Sequence, residues 1–214
     1  MITVYGASVS PFVRKVLVVL EEKKLTYSHV PLGPHDQREE FKTASPLGKI
    51  PGFSDGDFAI ADSMAIATFI DRRYPQSPVY PESAEDAARA VWFEKFADSE
   101  LGKPVLTYVF ETFVGPRFFN HATDQAVAAK ALTVDLPPLL DYLESVAKEP
   151  FLVAGRCTIA DIAMASMFMT FQVVGQTVDA ARWPKLAGYV AGIMARPSFK
   201  RCAELDRKLL SATG

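Results

Sequence analysis

Three short segments of this chain hold residues that could take part in chemistry. Ser10-Pro11 is the first. Serine is a good helix cap, and proline suits the first helical position because its missing N–H costs nothing there. A hydroxyl so placed can accept from a backbone N–H and also donate to a bound anion, and the helix dipole favours negative charge at that end. Ser8, in the same loop, offers a rival hydroxyl. Asp62-Ser63 is the second segment, read either as a simple cap or as a helix start whose N–H groups and hydroxyl hold a carboxylate. Ile50-Pro51 is the third. An X–Pro bond is cis in a minority of cases, and the plain alternative is a proline at a strand start. Cys157 and Cys202 form no CxxC pair, and His29, His35 and His121 are scattered, so no metal-ligand spacing is present.

The elements around these segments follow from periodicity. Ile2-Thr3-Val4-Tyr5 alternates with period two and predicts a strand. Val13, Val16, Leu17 and Leu20 have helical spacing, and Glu21 to Lys24 form the polar end of that helix. Tyr27 to Pro31 reads as a second strand, and Gln37 to Lys42 as a short helix stopped near Ser45-Pro46. Pro51 to Ser54 and Phe58 to Ala61 are apolar runs separated by Asp55-Gly56, a hairpin signal. Ala67, Ile70 and Tyr74 continue at helical spacing until Pro75. The order βαβ, α, ββα asks for a parallel strand pair and then an antiparallel hairpin.

Pro75, Pro78 and Pro81 mark a linker. The expected division is a first domain over 1–77, a linker over 78–83 and a second domain over 84–214. Everything after the linker reads helical. One helix runs from about Glu85 toward Val114, broken by Gly115-Pro116. Another runs from about Asp124 to Lys148, with Pro137-Pro138 bending or splitting it. Thr158-Ile-Ala-Asp161 opens a third through a short-armed capping box. Removing that cap should cost about 1 kcal/mol, and more if it is buried. Arg182-Trp183-Pro184 opens a helix that ends near Arg196-Pro197.

Composition limits the function classes. The 214 residues are 49% hydrophobic and 22% charged, as in globular proteins that bury a sizeable core. A formal net charge of −2 leaves no basic excess for phosphates, which argues against nucleic acid as a partner. The most apolar stretch, Ile159 to Gly175, contains Asp161 and Gln172 and is too short and polar for a membrane span. No charged leader or apolar signal core precedes the first strand, so the expected compartment is the reducing cytoplasm.

Four motifs then occur in order: Ser10-Pro-Phe-Val-Arg-Lys-Val, Lys49-Ile-Pro-Gly-Phe, Ala61-Asp-Ser and Gly155-Arg-Cys-Thr-Ile-Ala-Asp161. Together they resemble the cytosolic glutathione transferases over nearly the whole chain. The nearest likeness is to the serine-type classes (theta, phi and zeta among them) and their bacterial relatives. The resemblance implies an α/β, thioredoxin-like N-terminal domain of order βαβαββα, followed by an all-helical domain that forms much of the second substrate's pocket. It also implies a homodimer, glutathione as co-substrate and no metal.

The implied chemistry is activation of a thiol. A free thiol has a pKa of about 8.5, and lowering it by about two units takes roughly 2.7 kcal/mol of preferential thiolate stabilisation. In the serine-type enzymes the serine at the position of Ser10 donates to the glutathione sulfur. Relatives with cysteine there form mixed disulfides, which a hydroxyl cannot do. By the same resemblance Ile50-Pro51 is cis and turns the Ile50 backbone toward the cysteinyl part of glutathione. Ser63 with Asp62 holds the γ-glutamyl end, and Lys49, Gln37 and Arg38 face the glycine carboxylate. The second substrate is a small hydrophobic electrophile, with Phe12, Tyr108, Phe110 and Phe113 as candidate lining. Aromatics at that spacing can equally be core. The paired-serine and cysteine motif of zeta-like isomerases is absent at Ser10-Pro-Phe-Val13. A glutathione-dependent peroxidase or isomerase, and a non-catalytic binding or assembly module of the same fold, stay open.

Overall fold

The computed structural model describes residues 1–212. They form two compact units. One is Met1–Tyr80 together with the described residues from Ala195 onward, and the other is Pro81–Met194.

The first unit is built on strands β1 (Ile2–Tyr5), β2 (Tyr27–Val30), β3 (Gly52–Asp55) and β4 (Phe58–Ala61), in the order β2-β1-β3-β4. The β1–β2 pair is parallel, and the β1–β3 and β3–β4 pairs are antiparallel. This is the thioredoxin-like arrangement that the sequence predicts. The β3–β4 turn is Gly56-Asp57, with Gly56 at φ +61°, as a two-residue hairpin asks of its first central residue. Helices α1 (Pro11–Glu22), α2 (Glu39–Ala44) and α3 (Ser63–Arg73) complete the βαβαββα order. Val13, Val16, Leu17 and Leu20 are fully buried on α1, as their spacing requires.

Helix α2 starts two residues later than periodicity suggests. The Arg38 N–H bonds the Asp36 carboxylate (3.0 Å) and the Gln37 amide bonds the His35 carbonyl (2.7 Å), so a local turn holds these residues out of the helix. The linker is fastened at its start. Lys23 Nζ reaches Asp71 (2.8 Å) and the carbonyls of Gln76 and Ser77, while Asp71 accepts from the Val79 N–H (2.8 Å). The final helix, α11 (Pro197–Ala212), lies against α1. The linear division into 1–77 and 84–214 places that helix with the other helices; in space it packs in the first unit.

The second unit is helical: α4 (Ala84–Lys95), α5 (Gly102–Val109), α6 (Gly115–Phe118), α7 (Gln125–Lys130), α8 (Pro137–Val146), α9 (Ile159–Val173) and α10 (Pro184–Met194). Gly115-Pro116 does not break the first long helix, which continues to Phe118. The reason is visible at three prolines. Wide π-helical turns at Phe96–Leu101, Phe110–Val114 and Ala131–Asp135 lie just before Pro104, Pro116 and Pro137. A proline ring clashes with the carbonyl four residues back, and a widened turn moves that carbonyl aside. At Pro104 and Pro116 the helical run continues through the proline, whereas at Pro137 it is interrupted at Leu136 and α8 begins on the proline.

Core packing in this unit centres on α9, where every residue from Ile159 to Phe168 is buried. Its capping box forms as predicted: the Asp161 carboxylate accepts the Thr158 N–H (2.9 Å) and hydroxyl (3.1 Å). Asp161 also accepts from the Leu152 N–H and the Tyr189 hydroxyl, both at 2.9 Å. No described helix is long and apolar enough to cross a membrane.

Candidate functional site

Sheet register brings the candidate segments together. Tyr5, the last residue of β1, pairs with Gly52, the first of β3, and Gly52 pairs with Ala61, the last of β4. The chain therefore leaves β1 toward Ser10, enters β3 through Lys49-Ile50-Pro51 and leaves β4 into Asp62-Ser63, all at one end of the sheet. Neighbouring strands are about 4.8 Å apart, so the three segments lie side by side. Strand β2 ends there too, with Val30 opposite Tyr5, and delivers the loop bearing Gln37 and Arg38.

Gly6 lets two of these segments touch. It has φ +143°, and a Cβ there would lie 2.6 Å from Val13 Cγ2 and 3.0 Å from Ile50 Cβ. Any other residue would push the Ser10 loop away from Ile50.

Ser10 occupies the N-cap position of α1 in extended conformation (φ −67°, ψ 128°), with Pro11 in the first turn. Its hydroxyl makes no cap bond, and the first turn of α1 holds no acidic side chain. The positive end of the helix dipole is thus not neutralised from within. Ser8 differs: it is fully buried and its Oγ has no hydrogen-bond partner. Of the two serines in the loop, Ser10 is the partly exposed one.

The Ile50-Pro51 bond is cis. Ile50 lies outside the strand register, and its N–H and C=O have no partner among the described residues. Asp62 caps α3, accepting from the N–H groups of Met64 (3.0 Å) and Ala65 (3.1 Å). It does so at φ +76°, ψ 123°, a conformation that costs a non-glycine residue about 1–3 kcal/mol. The strain turns Ser63 into the first helical position, largely buried, with a hydroxyl that bonds no described residue.

Lys49 is exposed on the same rim and its ammonium bonds no described residue. Gln37 and Arg38 are exposed as well, but both are engaged locally, Arg38 with Asp36 at 3.3 Å and Gln37 with the His35 carbonyl. The His35 N–H donates to the Gly48 carbonyl (2.7 Å) and holds their loop against the Lys49 segment. Phe12 is half-buried in the first turn of α1.

The aromatics of the second unit diverge. Tyr108 meets Phe171 edge-on (5.9 Å) and accepts from the Gln176 amide (3.0 Å). Phe113 packs on Phe118 (6.1 Å) beneath Arg117, and Phe110 packs with Phe119 (6.3 Å) and His121 (5.2 Å). Of the three candidates, Phe110 lines an open groove of about 600 Å³ with Asp98, Lys103, Leu106, Thr107 and Glu111. Glu111 is held by His121 Nε2 and the Asp124 N–H, both at 2.9 Å, and these two bonds hold its carboxyl below the ordinary glutamate range.

One partner of the loop is invisible to sequence spacing. His29 Nε2 lies 2.8 Å from the Gly6 carbonyl. Burial lowers the His29 pKa, so the ring is neutral at pH 7 and donates from Nε2. Its position in β2, level with Val4, is the only hint. Among the described residues no group of three or more His, Cys, Asp or Glu is arranged to hold a metal ion.

Comparison with known proteins fits this geometry. Residues 4–78 match the family model for the glutathione S-transferase N-terminal domain, and residues 102–197 that for the C-terminal domain. The chain is 31% identical over 207 residues to glutathione S-transferase 3 of Zea mays, covering 92% of this chain and 90% of that protein. It is 29% identical over 161 residues to elongation factor 1-gamma of Schizosaccharomyces pombe, covering 75% of this chain but 38% of that protein. A crystal structure of a glutathione S-transferase from Rhodospirillum rubrum superposes with a TM-score of 0.82 at 25% identity, covering 94% of this chain and 91% of that one. The chain therefore belongs to the glutathione S-transferase family and is a glutathione transferase, with glutathione as its co-substrate.

Proposed function

We propose that Ser10 carries the activation step: its hydroxyl donates to the glutathione sulfur and lowers the thiol pKa, so that the thiolate attacks a small hydrophobic electrophile. The observation that carries this reading is the uncommitted Ser10 hydroxyl at an unneutralised helix N-terminus, at the same end of the sheet as the unpartnered backbone of Ile50. A hydroxyl donor and a helix dipole both favour the anion. In the same reading the Ile50 backbone pairs with the cysteinyl part of glutathione. Ser63 and the first N–H groups of α3 hold the γ-glutamyl carboxylate, with Asp62 toward its amino group. Lys49 faces the glycine carboxylate. Gln37 and Arg38 join it only by leaving their local partners. Phe12 supplies the apolar surface next to the sulfur. The working protein is a cytoplasmic homodimer.

The test is initial-rate kinetics with an activated aryl halide. Ser10→Ala should lose most turnover and keep most glutathione affinity, while Ser8→Ala should keep both. Full turnover in Ser10→Ala would remove the assignment. The likeness to elongation factor 1-gamma favours a second reading, a binding or assembly module of the same fold. That reading predicts no turnover in the unmodified protein.

A further inference from the structure

The loop that presents Ser10 is held from below by the last helix. Arg14 is fully buried one turn into α1, and its Nη2 donates to the Val9 carbonyl (3.2 Å) and to Asp206 Oδ2 (2.7 Å). Asp206 lies on α11, 192 positions away in sequence, and is also buried. Val9 is the residue immediately before Ser10. One guanidinium group thus joins the Ser10 loop to the far end of the chain.

Other contacts define this clamp. The Gly6 N–H donates to the Val30 carbonyl, and His29 meets the Gly6 carbonyl, so the start of the loop is fixed by β2. The end of the loop is fixed by Arg14 and by the Ser10 N–H donating to the Ala7 carbonyl (3.0 Å). At the opposite end of α1 a second ion pair fastens that helix to the residue just before α11. Arg196 grips Glu22 with two bonds, 2.9 and 2.7 Å, and the Ser198 hydroxyl adds a third. Contacts from α11 and the residue before it thus reach both ends of α1, and the Arg14–Asp206 pair is the one described here at the Ser10 loop.

We infer that Arg14 and Asp206 are positioning residues for thiol activation, resting on the reading of Ser10 given above. Asp206 orients the guanidinium, the guanidinium holds the Val9 carbonyl, and the fixed carbonyl aims the Ser10 hydroxyl. A buried guanidinium needs a counter-charge, and the Arg14 side chain carries one nitrogen, Nη2, to both the Val9 carbonyl and Asp206. Charged and titratable groups near the pair include Cys202 on α11, which feels both Arg14 and Asp206, His29 on β2, which feels Asp206, and the buried Lys15 next to Arg14 on α1; Glu21 and Arg201 lie near Cys202. Burial pushes the Cys202 thiol up to about 12, so it stays neutral and does not replace Asp206 as counter-ion.

Two mechanisms give opposite signs, which makes the inference testable. If Asp206 acted only as a nearby negative charge, removing it would leave Arg14 uncompensated and lower the thiol pKa of bound glutathione. If it positions the loop, removing it misaims Ser10 and raises that pKa. The experiment compares the full-length protein with Asp206→Asn, and with Glu22→Gln, which cuts the far ion pair as a packing control. Asp206→Asn should raise the bound thiol midpoint by about one unit, a tenfold change in the ionisation equilibrium. It should lower kcat about tenfold or more, since small misplacements have large rate effects, with KM for glutathione little changed. Ser10 amide exchange should quicken. Glu22→Gln should leave all of these in place. Arg14→Lys, which keeps the charge but shortens the reach and moves the donor nitrogen, carries the same expectation if Asp206→Asn does not fold. An unchanged or lowered midpoint, or an equal shift in Glu22→Gln, overturns the inference. Ionisation that survives Ser10→Ala would instead remove the reading of Ser10, while the exchange comparison still decides whether the clamp holds the loop.

Discussion

Helices α1 and α9 both begin at a hydroxyl residue, and they use it in opposite ways. At α9, Thr158 and Asp161 satisfy each other, and Asp161 also serves Leu152 and Tyr189. All of these groups are buried or bonded within the second unit, and nothing is left for a ligand. At α1 the Ser10 hydroxyl serves no backbone group, Ile50 at the same end of the sheet leaves its N–H and C=O open, and Ser63 stands at the end of a strained turn. The same residue chemistry makes a structural plug where it is closed and a candidate reactive site where it is open. The difference lies in whether a third segment closes over the helix start.

This contrast predicts effects that separate cleanly. The largest should be on stability, at the closed end. Asp161→Ala leaves the Leu152 and Thr158 N–H groups and the Tyr189 hydroxyl without an acceptor, at about 1–3 kcal/mol for each buried group. We expect about 4 kcal/mol in chemical denaturation, well above the cost of an isolated cap, and an unchanged kcat per folded molecule. At the open end Ser10→Ala should do the reverse. Losing about 2.7 kcal/mol of thiolate preference returns the thiol pKa from about 6.5 to about 8.5, cutting the ionised fraction at pH 7 and with it turnover roughly 25-fold, with thermal stability nearly unchanged because no cap bond is lost.

A smaller effect belongs to the far end of α1. Burial raises the Glu22 pKa, but the Arg196 and Ser198 hydrogen bonds and the Arg196 charge together bring it below its ordinary 4.5. A lowered folded-state pKa means the stabilisation is complete above that ordinary value and is lost as pH falls through the folded one. Melting temperature should therefore drop as the pH falls below about 4.5, and Glu22→Gln should flatten that part of the curve. The smallest effect should come from Ser8→Ala. A buried hydroxyl without a partner contributes little, so stability should hold or rise slightly and turnover should not change.

Local signals in the sequence are enough for most of the first unit. Asp55-Gly56, Ser10-Pro11 and the spacing of Val13, Val16, Leu17 and Leu20 each name their element because each rests on contacts within a few residues. The Thr158 to Asp161 box is readable for the same reason. The positive φ of Asp62 is not, because tertiary context imposes it on a residue that would not choose it. Pro116 misleads in the other direction: the π turn before it accommodates a ring that local rules treat as a stop. The Arg14–Asp206 pair leaves no trace in any window, since its two ends are joined only by the fold. Segments of the candidate site are thus legible one by one, while their convergence at one end of the sheet needs the strand register.

The central claim is that the open helix start of α1 ionises glutathione through Ser10. It is tested most directly by titrating the ultraviolet thiolate band of glutathione against pH with saturating protein, for the unmodified chain and for Ser10→Ala. The account predicts a midpoint about two units below the free thiol's value of about 8.5 in the unmodified chain, and a return toward that value in Ser10→Ala. Bound glutathione with the free thiol's midpoint in the unmodified chain, or a low midpoint that persists in Ser10→Ala, would contradict it.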